Sequence, residues 1–192
     1  ETPLTMAVEN NLQEIVFGIL NHKQFDAVKS KLNDSFVKCT QLDILQLLVS
    51  NDNLDVNYQF SALIQLKDSN ISTVKSVLLH SISQKNLPKC ELIISHPRFD
   101  PDKSNALEAL RYFMKSNNLE LFELLFQKYN NDKSQILHES IQSKSFAICK
   151  IILSHCPNLV NHLFEYGTIL HYSIINNFED FIKYLMSIRE VN

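Results

Sequence analysis

The chain has 192 residues, of which 45% are hydrophobic and 20% are charged, and its formal net charge is −3. This composition excludes disordered and fibrous proteins, because it supplies enough apolar residues to build a folded core. The small negative charge and the scattered lysines offer no basic patch for nucleic acid or an anionic membrane surface. No apolar run approaches the roughly 18 residues that a membrane-spanning helix needs. We therefore predict a folded protein that binds no nucleic acid and does not insert into a membrane.

The pattern of apolar residues along the chain predicts many short helices. Only two glycines and five prolines are present, which is few for a sheet-rich fold with its many tight turns. Apolar residues recur instead every three or four positions, as on one face of a helix. In chain order, three such stripes consist of Leu42, Leu45 and Leu48, then Leu119, Phe122 and Phe126, then Phe178, Phe181 and Leu185.

The short stripes belong to a repeated unit. Six segments align without gaps, each with one apolar stretch, a polar break and a second apolar stretch that carries paired residues such as Leu47-Leu48, Ile93-Ile94, Leu124-Leu125 and Ile151-Ile152. The spacing is about 33 residues. The longest step contains an insertion at residues 58–75, where the spacing of Phe60, Leu63 and Ile64 predicts an extra helical turn or a longer first helix. The segments begin near residues 2, 31, 76, 108, 135 and 168.

The opening and closing residues of these segments resemble the ankyrin repeat, whose pattern begins T-P-L-H-x-A. The chain reads TPLTMA from Thr2 and TILHYS from Thr168, with a weaker copy, ILHES, from Ile136. The loop sequences HKQFD at 22–26 and HPRFD at 96–100 are variants of one another, and NLDVN at 53–57 resembles the family ending G-A-D-V-N. The resemblance covers nearly the whole chain. It implies an all-α, ankyrin-like solenoid of about six helix-turn-helix repeats with hairpin loops, in one domain spanning residues 1–192.

The resemblance also implies structural roles for several polar residues. Thr168 and His171 would form a capping and hydrogen-bonding pair at the start of a helix, as threonine often does. The family places glycine in the turn between its two helices, and the chain departs from this at Asn11, Thr40, Lys85, Asn117, Lys144 and Asn177. Asparagine tolerates a positive φ best among these residue types. The opening threonine is replaced by Lys31, Ser76, Glu108 and Gln135, which predicts weaker capping in the middle repeats.

The resemblance implies a protein-interaction module. Ankyrin-like arrays generally bind a protein or peptide on the concave side, which the first helices and the hairpin tips form. An alternative is a regulatory or spacer arm of a larger enzyme, channel or secreted effector, with no ligand in this segment. The contact positions of the family fall just after the first helix's alanine position, at Glu9, Asn10, Lys38, Cys39, Ser83, Gln84, Lys115, Ser116, Gln142, Ser143, Ile175 and Asn176.

The sequence offers no motif for catalysis, a metal or a cofactor. Two glycines cannot build a glycine-rich phosphate loop, and no paired carboxylate or G-x-S-x-G element occurs. Cys149, His155, Cys156 and His162 are zinc-ligand types, but their spacing fits no common structural zinc motif. The four cysteines indicate reduced, partly buried thiols. We therefore predict a non-enzyme in the cytoplasm or another reducing compartment, or in a host cell if the protein is an effector.

The ends of the chain and its loops also carry predictable features. The chain begins without methionine, which indicates a fragment of a longer protein. The last helix is predicted to leave an apolar face uncovered, so it is a candidate surface for self-association. In the loops, Phe25 and Phe99 are predicted to pack against the helix ends, and Asp26, Asp55 and Asp100 to accept backbone hydrogen bonds in their turns. The residues of the uncovered face are Phe181, Tyr184, Leu185 and Ile188.

Overall fold

The computed structural model describes residues 1–66, 69–165 and 167–188, and for 61–66 and 69–75 it describes the backbone alone. The chain divides into two compact units, an amino-terminal unit of Glu1–Ala109 and a carboxyl-terminal unit of Leu110–Asn192. The earlier prediction of a single domain stays a prediction.

The amino-terminal unit consists of helix pairs and one long hairpin. Helices α1, α3 and α5 come first in their pairs and pack side by side, while the second helices α2, α4 and α6 form a second row of neighbours. The elements are α1 (Pro3–Glu9), α2 (Gln13–Leu20), α3 (Leu32–Lys38), α4 (Leu42–Val49), β1 (Gln59–Leu66), β2 (Ser69–Ser76), α5 (Val77–Ser83), α6 (Leu87–Ser95) and the start of α7 (Ala106–Lys115).

The carboxyl-terminal unit repeats this arrangement. First helices α9 and α11 are neighbours, and the second helices α8, α10 and α12 pack in sequence. After the end of α7, the elements are α8 (Leu119–Lys128), α9 (Lys133–Gln142), α10 (Phe146–His155), a 3₁₀ helix (Pro157–Asn161), β3 (Leu163–Phe164), β4 (Gly167–Thr168), α11 (Ile169–Ile175) and α12 (Glu179–Ser187).

The predicted series of helix-turn-helix pairs is confirmed, and its core lies where the apolar stripes placed it. Each pair of apolar residues in the second helices contributes at least one side chain with no exposed surface, namely Leu48, Ile93, Leu125 and Ile152. One helix pair cannot bury its apolar face alone, so the stacking of neighbouring pairs within each unit stabilises the fold.

In all but one of the turns between paired helices, one residue has a left-handed backbone conformation. Positive φ angles of 51° to 57° occur at Asn11, Lys85, Asn117, Lys144 and Asn177, as predicted. Thr40 is the exception: α3 instead ends at Cys39 in an extended conformation, with φ −67° and ψ 133°. Threonine is β-branched and disfavours the left-handed region. The carbonyl groups at the end of α3 therefore need a different hydrogen-bond donor.

The prediction for the insertion at 58–75 is wrong, because a β-hairpin occupies this segment. β1 and β2 pair antiparallel from Gln59 with Ser76 to Leu66 with Ser69. Lys67 and Asp68 lie outside the described residues. The apolar residues of β1 alternate with a period of two, which is the strand signal, and Leu63 alone created the helix-like spacing. The alternating residues are Phe60, Ala62, Ile64 and Leu66.

The prediction of weak capping in the middle repeats is only partly right. Lys31 makes no side-chain cap, but Ser76 accepts a hydrogen bond from the Leu79 N–H at 3.3 Å. Asp132 accepts from the Ser134 N–H at 2.9 Å and caps α9. Glu108 and Gln135 lie inside helices that start a few residues earlier than the gapless alignment indicates.

The prediction that the last helix leaves its apolar face uncovered is wrong for two of the four residues. Phe181 and Leu185 are fully buried, and the Phe181 ring lies 6.2 Å from Phe146 and 5.4 Å from Phe178 between centroids. Tyr184 and Ile188 are partly exposed. The helix therefore turns its main apolar stripe toward α10, and self-association through α12 stays a prediction.

The predicted loop roles agree with the structure. Asp26 accepts from the N–H groups of Val28 and Lys29, Asp55 from that of Asn57, and Asp100 from that of Asp102. Phe99 is buried, as packing requires, while Phe25 is partly exposed. These aspartates fix the loops that join one helix pair to the next.

Candidate functional site

The predicted contact residues all lie where a first helix ends. Glu9, Lys38, Ser83, Lys115, Gln142 and Ile175 are the last residues of their helices. The residue after each one completes the pair. We call the members of this set in each unit, without Cys39, the helix-end surface of that unit. The amino-terminal unit contributes Glu9, Asn10, Lys38, Ser83 and Gln84, and the carboxyl-terminal unit contributes Lys115, Ser116, Gln142, Ser143, Ile175 and Asn176.

Cys39 does not belong to this surface, so its prediction as a contact residue is wrong. Its side chain is 2% exposed, and its Sγ lies 3.6 Å from the carbonyl oxygen of Gln41. The extended backbone after α3 turns this residue inward, unlike its equivalents. Burial raises the pKa of the Cys39 thiol, so the group stays neutral and unreactive. The other predicted residues are exposed, apart from a partly exposed Asn176.

Charge pairs link neighbouring first helices in each unit. Lys38 Nζ donates to Glu9 Oε1 at 2.7 Å, joining α3 to α1. The hydrogen bond to Glu9 raises the pKa of Lys38. In the other unit, Arg111 donates to both carboxylate oxygens of Glu139 at 2.8 and 2.6 Å, and these hydrogen bonds lower the pKa of Glu139. In the amino-terminal unit the helix-end surface is therefore polar, and the Glu9–Lys38 pair holds charges of both signs there.

One apolar patch lies at the end of α11. Ile174 and Ile175 are 58% and 69% exposed. Ile175 is one of the predicted contact residues, and Ile174 is not. At the aligned positions of the other repeats, Val8, Ile82, Met114 and Ile141 are buried, and Val37 is partly exposed. Within the described residues, no further pair follows α11 and α12.

Thr168 and His171 have the structural role that the resemblance implied. His171 Nδ1 accepts a hydrogen bond from the Thr168 backbone N–H at 3.2 Å and lies 2.9 Å from Thr168 Oγ1. The neighbouring Gly167 has a φ of 122°, and a Cβ atom there would approach His171 Cγ to 2.8 Å. Glycine is therefore required for the ring to reach the helix start.

Replacing Gly167 with alanine is expected to lower the free energy of unfolding by about 1 to 3 kcal/mol, because the positive φ is strained and the ring is displaced. Urea unfolding followed by circular dichroism measures the change. Gly18→Ala is the control: no atom lies within 4 Å of the added Cβ, and a glycine removed from a helix raises stability by about 0.5 to 1 kcal/mol. Equal effects at both glycines would contradict this account of Gly167.

Lys89 is buried and forms the most unusual polar cluster of the amino-terminal unit. Its side chain is 2% exposed, and Nζ donates to the backbone carbonyls of Val37 and Cys39, both at 2.9 Å, and to that of Phe36. These are the carbonyls that the altered turn at Thr40 leaves without a partner. Burial lowers the pKa of Lys89 to about 8, against the preference of the carbonyls for the ammonium ion. In the gapless alignment, its position is held elsewhere by Ile15, Ile44, Leu121, Ile148 and Phe181.

The zinc-ligand residue types do not converge. Cys149 is buried with its Sγ 3.1 Å from Ser140 Oγ, and burial raises its pKa to about 12. His155 Nε2 lies 2.7 Å from Glu123 Oε1. In the part of the chain that the structure describes, no group of three His, Cys, Asp or Glu residues has a metal-binding arrangement. The four cysteines are free thiols.

Comparisons with known proteins agree with the repeat pattern. The family model described as ankyrin repeats (3 copies) matches residues 112–192, which contain the helix pairs of the carboxyl-terminal unit. A search of curated proteins found no match to the chain. No helix among the described residues has the length and apolar character to cross a membrane.

Proposed function

Because residues 112–192 belong to the ankyrin repeat family, whose repeats are generally protein-interaction modules, we propose that the chain binds a protein or peptide partner through its helix-end surface. The family implies protein binding in general terms. The location on the helix-end surface is our proposal.

The exposure of the helix-end residues is the observation that carries the proposal. These side chains follow the buried part of each first helix, yet they take little part in packing. Solvent-exposed polar groups on a rigid scaffold are suited to forming hydrogen bonds across a protein interface. The fixed ion pair between Glu9 and Lys38 also reduces the side-chain entropy that binding would cost.

The proposed role needs no catalytic group and no cofactor. The free thiols, three of which are buried, are typical of a protein that works in a reducing compartment such as the cytoplasm. A polar surface with both signs of charge suits a folded protein or an extended peptide better than a highly charged ligand.

Affinity capture from cell lysate tests the proposal with two matched variants. The first combines Glu9→Ala, Lys38→Ala, Gln84→Ala, Lys115→Ala and Gln142→Ala. The second removes the same residue types from exposed positions of the second helices through Glu91→Ala, Lys150→Ala, Lys183→Ala, Gln13→Ala and Gln46→Ala. We expect the parent and the second variant to retain a protein that the first variant loses.

Folding must be equal in all three proteins for the comparison to count, and circular dichroism checks this. Exposed substitutions usually change stability by about 0.5 kcal/mol or less each. Loss of the captured protein from the second variant alone would place the binding surface on the second helices and overturn the proposal. Capture of no protein by the parent would favour a spacer or regulatory arm.

A further inference from the structure

The long hairpin leaves one edge of β1 without a strand partner among the described residues. β1 and β2 each span eight residues, and together they form a two-stranded sheet. The outer edge of a strand presents a row of backbone N–H and C=O groups that can pair with a further strand.

The sequence of β1 does nothing to protect this edge. Its residues, QFSALIQL, include no charged residue and no proline. Natural proteins usually shield an exposed edge with lysine, proline, a bulge or a very short strand. An uncharged edge of eight residues is therefore suited to being covered rather than to facing water.

A cavity of about 310 Å³ lies at the base of β1. Phe60 from β1 and Val37 from α3 form its apolar wall, and the other lining residues are Glu1, Thr5, Lys31, Asp34 and Lys38. The Phe60 ring stacks on Tyr58 at 6.4 Å and meets the edge of His80 at 5.4 Å. This wall is therefore held in place from two sides.

The hydrogen-bond alternation of the hairpin shows which backbone groups face outward. The Val77 N–H donates to the Tyr58 carbonyl at 3.1 Å. Since bonded and non-bonded pairs alternate in an antiparallel ladder, even-numbered residues of β1 bond to β2. Ser61, Leu63 and Gln65 then direct their N–H and C=O groups to the free edge, and Ser72, which pairs with Leu63, does so on the outer edge of β2.

We propose that an extended peptide segment of a partner protein binds along the free edge of β1 by strand addition, with an apolar side chain in the cavity beside Phe60. Only another extended backbone complements the alternating donors and acceptors of this edge. Because residues of α1 and α3 line the cavity at the same strand, a single strand fits there more readily than a second folded copy. The edge of β1 and its cavity share only Lys38 with the helix-end surface. Peptide binding at this edge is therefore a function beyond the one proposed above.

The probes are peptides of about 12 residues. They are selected from a displayed random library for binding to the full chain. Proline at an outward position removes an edge donor without breaking a bond to β2. We expect selected peptides to bind Leu63→Pro and Ser61→Pro about tenfold or more weakly. Leu63→Ala keeps the N–H, and Ser72→Pro alters the other edge, so both should bind the peptides like the parent.

Hydrogen exchange supplies a second readout on the same peptides. Bound peptide should slow exchange of the Ser61, Leu63 and Gln65 amides, and Phe60→Ala should weaken binding by removing the cavity wall. The proposal is overturned if no peptide is selected, if binding survives both prolines in β1, or if Ser72→Pro abolishes it. A dimer of the chain that Leu63→Pro dissociates would assign the edge to a second copy and would also overturn the proposal.

Discussion

Replacing Lys89 with methionine is expected to lower the free energy of unfolding by about 2 to 4 kcal/mol at pH 7, because it leaves buried carbonyl groups without a donor. Methionine has nearly the same length and matches the apolar residues at the aligned positions of other repeats. Exchange of a buried ion pair for apolar residues is often neutral. Here the partners are the backbone carbonyls of Phe36, Val37 and Cys39. These carbonyls remain buried after the substitution, so the loss of their donor is not offset by removing them as well.

The contribution of Lys89 to the free energy of unfolding should rise with pH. Its pKa is about 8 in the folded protein and 10.5 in its ordinary state. Between these values the folded protein has released the proton while the unfolded chain still holds it, so stability rises with pH. The contribution is present above pH 10.5 and is lost as pH falls through about 8. The stability difference between parent and Lys89→Met should therefore grow across this range.

Chemical denaturation from pH 7 to pH 10 measures both effects. Taking the difference between the parent and the variant removes the titration of groups that do not interact with Lys89, and what remains is the titration of Lys89 together with its charge interaction with the thiols of Cys39 and Cys90. Lys23→Met, at an exposed position, should change stability by about 0.5 kcal/mol or less. A Lys89→Met variant as stable as the parent would show that the end of α3 does not depend on the ammonium group.

Replacing Phe181 with alanine is expected to cost about 3 to 5 kcal/mol, because truncation of a buried phenylalanine leaves a cavity. Its ring has no exposed surface and lies among the rings of Phe146, Phe178 and Tyr184. The sequence pattern predicted an uncovered face for this residue, where the same substitution would cost little. Thermal or urea unfolding of the variant therefore separates the two views of α12.

Met186 provides the matched control for this prediction, since it lies on the same helix and is 74% exposed. Met186→Ala should change stability by about 0.5 kcal/mol or less. If Met186→Ala were costly and Phe181→Ala were harmless, α12 would have to be rotated relative to the structure.

The helix pairs and their turns could be predicted from the sequence because both follow from local rules. Apolar spacing identified the buried residues of the second helices, and asparagine in the turns agreed with the left-handed backbone. The family resemblance, carried by Thr168 and His171, correctly identified their structural role. It also indicated the helix ends as the candidate site, although binding by those residues remains a prediction.

Two of the misses arose where a residue's neighbour in space is distant in sequence, and two where local backbone conformation departs from the repeat pattern. Lys89 is explained only by the turn at Thr40, which lies in another helix pair. Phe181 was assigned to the wrong side of α12, because a stripe shows which residues share a face but not what covers it. The hairpin was missed because Leu63 interrupts the alternation of β1. Cys39 was named by alignment alone, while its burial depends on the local extended backbone.

Hydrogen–deuterium exchange of the chain with and without its captured partner is the measurement that tests the central claim most directly. We predict that bound partner slows exchange at the ends of the first helices, around residues 9–10, 83–84, 115–116 and 142–143. Binding is localised in this way because only groups covered by the partner lose access to solvent. Slower exchange confined to the exposed faces of α2, α4, α10 and α12, with the first-helix ends unchanged, would contradict the proposed surface.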